Sequence, residues 1–341
     1  MNELNPPKPA ERVTIKTVAA DAGVSVAAVS KVMRNAYGVS DSLRQKVTAS
    51  IERLGYRPSV AARGMRGQTY TIGILLVEIA NPFIPEIVDG ITGVLEPSNY
   101  KAMFGIGHSA TVLETSLIEA MIDNRMDGVI LVAPRLVGET LARFARQIPL
   151  VAIGHHEASA TEYDTVNVDD HRGVAIALQA LHDNGHNDIA MLSYRDEDAT
   201  PANVVTQRER AYVVAMQALG LSDRARILSL DRGEQGVLRA IEAFLVMPNR
   251  PRAVFVWSDL DAITLINVAK MAGIRVPEDL AIIGFDNSRV AALPLIGLTS
   301  VDQSGRRLGA LATETLLDRI GGRSTPQHIL LEPTLVRRTS H

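Results

Sequence analysis

TIKTVAADAGVSVAAVSKVMRNAYGVSDSLRQKVTASIERLGYRPSVAARGMR, residues 14–66, is the stretch whose reading decides the architecture. Thr14 is placed to cap a helix over 15–22, where Ile15, Val18, Ala19 and Ala22 recur at helical spacing. Gly23 permits a chain reversal, since positive φ costs it nothing sterically. Ser25 then caps a second helix, from Val26 to about Arg34. Two short helices across a glycine turn form the helix-turn-helix pattern, whose second helix enters a major groove with its N-terminal residues leading. In that helix Val29, Val32 and Met33 form the packing face, and Val26, Ala27, Ser30, Lys31 and Arg34 the outward one. No Asp or Glu lies between Asp21 and Asp41 to repel a phosphate. The bland alternative is a helical hairpin with a solvated basic face. Ser40 or Asp41 caps a third helix, in which Leu43, Val47, Ile51 and Leu54 make one stripe before Gly55 ends it. Residues 59–66 are too few for a stable isolated helix. They and Arg57 set Arg57, Arg63 and Arg66 beside Ala61, Ala62 and Gly64, which suits close contact with an anion.

The pattern TIKxVAxxAGVSxxxVSxVM…VSxxxRxxVxxxIExLGYRPxxxAR resembles the head of lac-repressor-type (LacI/GalR) bacterial transcription regulators. The resemblance implies that Val26, Ala27 and Lys31 read base edges, and that Thr14, Ser25, Ser30 and Arg34 stand at or near phosphate-contacting positions. It also implies a hinge helix that orders on DNA and wedges Met65, where most relatives have Leu, into the minor groove. Arg57, Ser59 and Ala62 accompany Met65 as DNA-facing positions. Lys31 stands where Arg is usual, Ala28 where Thr is usual, and Arg34 where Asn is usual. Lys lacks the bidentate fork of Arg, so the preferred operator is expected to differ.

At 341 residues and 46% apolar content, the chain has room for two or three domains with substantial cores. Residues 1–68 carry 11 Lys/Arg against 5 Asp/Glu, and the remainder 24 against 33. A basic head on an acidic body suits a nucleic-acid binder whose body does not adhere to DNA. There are no cysteines, which excludes disulfides and thiolate metal sites. MNELNPPKPAER has no apolar centre and does not read as a signal peptide, and no apolar run reaches the 18 or so residues of a membrane span. A cytoplasmic protein is expected, with a disordered tail over 1–12, a helix-turn-helix domain over 13–57, a hinge helix and linker over 58–69, and a core over 70–341.

Beyond Tyr70 the period changes. TIGILLV (71–77), AMFGI (102–106), GVILVA (128–133) and LVAIG (150–154) read as strands separated by helices. A second series gives strands IAMLS (189–193), RILSL (226–230), AVFVW (253–257) and LAIIGFD (280–286), a further strand near 298–302, a helix over 304–320, and the closing segments HILLE and LVRR. Two α/β series predict two lobes of parallel sheet flanked by helices, with ligands held beyond the strands' carboxyl ends. Those ends hold Gly154-His155, Ser193, Trp257-Ser258-Asp259 and Asp286-Asn287.

The body resembles the same family through IGILLVEIANPF, VNVDDHRG, GIRVPEDLAIIGFDN, LTSVDQSGRRLG and LEPTLVRR. The resemblance implies a periplasmic-binding-protein-like core with three crossings between lobes. Lobe 1 would hold about 70–170 and 304–331, and lobe 2 about 171–303 and 332–341. It places Phe83, Ile84, Arg208, Ser258, Asp286 and Gln303 in an effector site, with Asp259 adjoining. His155 and Trp257 are added as strand-end candidates, their alternative being packed core residues. Asp286 suits paired hydroxyls, Arg208 a hydroxyl or carboxylate, and Phe83 an apolar wall, so a sugar or a sugar acid fits.

An enzyme is the first rival. His155, His156, His171, His182 and His186 match no recognised zinc spacing, and no phosphate-cradling glycine loop or nucleophile elbow occurs. The expectation is no catalytic residue, no metal and no cofactor. A transport-type sugar-binding protein is the second rival, opposed by the attached head. A regulator with a non-sugar effector or a protein co-regulator is the third. The reading reached is a homodimeric repressor that binds a palindromic operator in double-stranded DNA under control of a small effector, without a membrane partner.

Overall fold

The computed structural model describes residues 13–33, 36–56, 67–194, 200–231 and 233–341. Contact density divides the chain into two units, Met1–Thr69 and Tyr70–His341. The expected tail over 1–12, Arg34, and the hinge positions Arg57, Ser59, Ala62 and Met65 lie outside the described residues.

The first unit holds three helices, α1 (Ile15–Asp21), α2 (Val26–Met33) and α3 (Asp41–Leu54). Thr14 and Thr17 form a reciprocal capping box at the start of α1. Gly23 takes φ +65° in the turn, and the Ser25 hydroxyl accepts the Ala28 amide at 3.1 Å. Val18, Ala19, Val29, Val32, Val47 and Tyr56 are buried together between the helices. Asp21 is a second tie, accepting from Ser50 and Arg53 of α3.

The second unit contains two six-stranded sheets. In chain order its elements begin β1 (Thr71–Leu76), α4 (Ile84–Leu95), β2 (Lys101–Ile106), α5 (Thr111–Asp123), β3 (Gly128–Val132), α6 (Gly138–Ala145), β4 (Leu150–Ile153) and β5 (Asp164–Val168). They continue with α7 (Asp170–Asp183), β6 (Ile189–Tyr194), α8 (Val204–Ala218), β7 (Arg226–Leu230), α9 (Glu234–Leu245), β8 (Ala253–Val256), α10 (Asp259–Met271), β9 (Ala281–Asp286) and β10 (Thr299–Asp302). The last are α11 (Gly305–Ile320), β11 (His328–Leu331) and β12 (Thr334–Val336). The sheets run β11-β5-β4-β3-β1-β2 and β12-β10-β9-β8-β6-β7. Every pairing is parallel except β10 with β12. The chain therefore changes sheet after β5, after β10 and after β11.

Sequence reading omits β5, and the reason is chemical. DTVNV lacks the apolar run that marks the other buried strands, yet all five residues are buried. Its polar side chains are satisfied by distant partners: Asp164 accepts from Arg319 at 2.7 and 2.8 Å, from Arg323 at 2.9 Å, and from the Gln327 amide at 2.7 Å. Burial raises the Asp164 carboxyl, but these donors outweigh it and hold the group below the usual carboxylate range.

α4 and α11 cross at a distance only glycine permits. A Cβ on Gly90 would stand 2.0 Å from the Arg306 carbonyl oxygen, and one on Gly309 2.0 Å from that of Ile87. The crossing seats Leu308, Ala312 and Leu316 against Ile72, Ile74 and Ile91.

Gly309→Ala should therefore cost about 1–3 kcal/mol of stability, read from urea unfolding, because the obstacle is backbone. An unchanged midpoint would mean that the helices can part. The Asp164 clamp contributes in full above the unfolded carboxyl value of about 4, and its contribution is lost as pH falls through the lower folded value. Between pH 6 and 3, Asp164→Asn should lose stability less steeply than wild type; equal slopes would contradict the clamp.

Candidate functional site

Parallel strands send their carboxyl ends to one side of each sheet, and the two sets of ends enclose a cavity of about 370 Å³. That is the scale of a small-molecule site. Lobe 1 supplies an apolar wall: Phe83, Ile84 and Ile87 from the first turn of α4, Val132 and Ile153 from β3 and β4, and Leu308 from α11. Lobe 2 supplies a polar one, with Tyr194, Arg208, Trp257, Ser258, Asp261, Asp286 and Gln303.

At the base of that wall, Arg208 on α8 is 3% exposed. Its Nε donates to Asp170 Oδ1 at 2.7 Å and its Nη1 to the Trp257 carbonyl at 2.7 Å. The guanidinium lies 3.7 Å from the centre of the Phe285 ring, a cation–π distance. His156 Nε2 lies 2.8 Å from Asp170 Oδ2. Burial pushes the Asp170 carboxyl up, but Arg208 and His156 outweigh it and leave the group below its ordinary value.

Asp286 behaves oppositely. Its Oδ1 accepts from Gln303 at 2.6 Å and its Oδ2 from Asn81 at 3.4 Å, both uncharged donors. Arg208 stands 3.9 Å away. Burial, reinforced by nearby Asp259 and only partly countered by Arg208, lifts its carboxyl well above the usual range. Its backbone takes φ +127°, strain that a non-glycine residue bears where the surroundings impose it.

Asp261, in the first turn of α10, holds an aromatic corner. It accepts from Trp257 Nε1 at 2.7 Å, Ser258 Oγ at 2.9 Å and Tyr194 Oη at 3.1 Å. The Tyr194 and Trp257 rings meet edge to face with centres 5.2 Å apart.

Of the expected effector residues, Phe83, Ile84, Arg208, Trp257, Ser258, Asp286 and Gln303 converge on this cavity. His155 does not line it. Its ring is fully buried and turned to Tyr163 Oη at 3.1 Å, and burial lowers its pKa to about 4. The cavity receives the next residue, His156, because neighbours at a strand end face opposite ways. Asp259 is also set back. It accepts from the Ser288 amide at 2.7 Å, Ser288 Oγ at 2.9 Å and Ser300 Oγ at 2.5 Å, and burial raises its pKa to about 6. Its task there is to pin the turn after β9 behind Asp286. Sequence reasoning missed Asn81, His156, Asp170, Tyr194 and Asp261. The adjacent-carboxylate signals in VNVDDHRG and WSDLD were available for two of them.

In the first unit Thr14, Ser25, Ala27 and Lys31 are exposed and Val26 is half-buried. Ser30, expected outward, is buried at 8% exposure, since it lies beside Val29 on the face that packs on the other helices. Among the described residues no group of three or more His, Cys, Asp or Glu side chains is placed to hold a metal ion. No described helix is long and apolar enough to cross a membrane.

Comparison with known proteins gives concordant matches. The profile "Bacterial regulatory proteins, lacI family" matches residues 14–59, and the profile "Periplasmic binding protein-like domain" matches residues 178–341. The HTH-type transcriptional repressor PurR of Photobacterium profundum is 30% identical over 332 residues, 96% of this chain and 98% of that protein. Catabolite control protein A of Priestia megaterium is 33% identical over 306 residues, 89% of this chain and 91% of that protein. Among solved structures, the transcriptional regulator CelR–cellobiose complex is 27% identical and covers 97% of this chain and 100% of its own, with a TM-score of 0.70.

Trp257 is the only tryptophan of the chain, so a ligand that fills the cavity should change its emission. A ligand that raises the melting temperature but leaves that emission untouched would have to bind elsewhere.

Proposed function

We propose, because this chain belongs to the lacI family of bacterial regulatory proteins, that it is a sequence-specific repressor whose operator affinity is set by a small polyhydroxylated effector, a sugar or sugar acid, held between its two lobes. The observation that carries this reading is the pairing, in one chain, of a capped helix-turn-helix with a cavity of about 370 Å³ at the facing strand ends. Exposed Ala27 and Lys31, with Val26, offer base-reading side chains on α2, and the Thr14 and Ser25 caps offer hydroxyls to phosphates.

In the cavity, Asp286 and Gln303 suit hydroxyls, and Phe83 and Trp257 suit the apolar faces of a sugar ring. The similarity to the CelR–cellobiose complex, a transcriptional regulator solved with a saccharide, supports a saccharide effector. A homodimer is supported by the edge of lobe 1, where Met103 and Phe104 on β2 and Val112 and Leu113 on α5 are exposed. Two heads so joined suit a palindrome. Ligand closure of the lobes would shift the protein between two states by its differential affinity for them.

The test has two stages. Selection from random duplexes should enrich a palindrome, and absence of any enriched sequence would remove the repressor reading. Asp286→Ala should keep operator affinity within about threefold, a free-energy change under roughly 0.7 kcal/mol, while abolishing the response to the effector found by thermal shift. A wild-type dose curve in that variant would place the effector outside the cleft.

A further inference from the structure

The guanidinium of Arg208 is already engaged inside the protein. Asp170 takes its Nε, the Trp257 carbonyl takes Nη1, and the Phe285 ring covers one face. Arg208 and Asp170 are both almost wholly buried, at 3% and 1% exposure. His156 turns its Nε2 to the same carboxylate. The Arg208–Asp170 pair is thus neutralised within the wall, whereas Asp286 and Asp261 are met at hydrogen-bond distance by uncharged donors. Asp286 has two amide donors and Arg208 only at 3.9 Å, and Asp261 has three neutral donors. Among the described lining residues the carboxylates are Glu78, Asp170, Asp261 and Asp286, against the guanidinium groups of Arg135 and Arg208. A cleft built to seize an acid would leave its buried guanidinium open to the ligand.

We propose that Asp170 is a specificity-determining residue which, by holding Arg208, makes the cleft accept polyhydroxylated ligands that are neutral or carry an amine and reject their carboxylate and phosphate counterparts. This rests on the effector reading above and narrows it. A hydroxyl or ammonium donor improves the environment of Asp286, whereas an anion adds charge where the nearest cation is paired. Rejection through an unfavourable charge is a recognised route to specificity, and burial sharpens it because an unpaired charge there is poorly screened.

The experiment measures Trp257 emission and melting temperature of the full-length protein against matched sets: several hexoses and pentoses, each with its amino sugar, its sugar acid and its sugar phosphate, and nucleosides with their monophosphates. Binders are expected among the neutral and aminated members, with each anionic counterpart at least tenfold weaker. An anion that binds as tightly as its neutral counterpart overturns the proposal while leaving the cleft as the effector site. No binding by any member overturns both readings.

Asp170→Asn keeps an oxygen for Arg208 Nε but removes the charge. It should shrink the tenfold gap below threefold, and an unchanged gap would remove Asp170 from selectivity. His156→Gln, which leaves the Asp170 charge in place, should preserve the gap, and its collapse there would transfer the role to His156. If Asp170→Asn does not fold, the wild-type selectivity series still decides the ligand class.

Discussion

Parallel pairing is the constraint from which the second unit follows. Strands that all point one way must return through crossovers, so each carboxyl end opens into a loop on the same side of its sheet. Chemistry then collects where those loops meet. Phe83, His156, Trp257 and Asp286 come from segments as much as two hundred residues apart, yet each follows directly from the end of a strand or opens the adjoining helix. No long irregular loop is needed to assemble them. The same rule leaves an unpaired edge at β2 and at β7, and β2 carries exposed Met103 and Phe104.

How much of this was legible in sequence depends on what each residue needs. Strands such as Gly128–Val132 and Ala281–Asp286 are almost continuous apolar runs, and they announce themselves. β5 does not, because Asp164 and Asn167 become core residues only through Arg319, Arg323 and the His155 backbone. Local pattern carries no trace of partners a hundred and fifty residues away. Most effector residues rest on the family resemblance and only His155 and Trp257 on strand ends, where the choice between His155 and His156 turns on a one-residue alternation. Asp259 and Asp261 pose the same problem on the first turn of a helix. There the position two residues later faces the cleft, and the earlier one faces Ser288 and Ser300. In the head, helical spacing identified the packing of Val29 and Val32, and misassigned Ser30, whose small side chain fits either face.

Buried carboxylates divide by their partners. Asp164 and Asp170 meet guanidinium groups and are held low, while Asp259, Asp261 and Asp286 meet amides, hydroxyls and an indole and are raised. The first pair fastens structure: one ties β5 to α11, the other ties the start of α7 to α8. Of the second set, Asp261 and Asp286 line the polar wall and Asp259 lies behind it, so the cleft presents carboxyls whose partners are uncharged. The strained backbone of Asp286 belongs to the same economy of local cost against a positioned group.

The three changes of sheet bear on how the chain is born. The head's described core ends at Tyr56, so it has every residue it needs early in synthesis. Lobe 1 does not. Its core requires Leu308, Ala312 and Leu316, and its sheet requires His328–Leu331, which follow every sheet strand of lobe 2 except β12. At ordinary translation rates that interval lasts on the order of tens of seconds. Throughout it, Ile72, Ile74 and Ile91 lack the α11 side chains that complete their core. The glycine-tight seam between α4 and α11 therefore joins segments more than two hundred residues apart, and only β11 and β12 emerge after it.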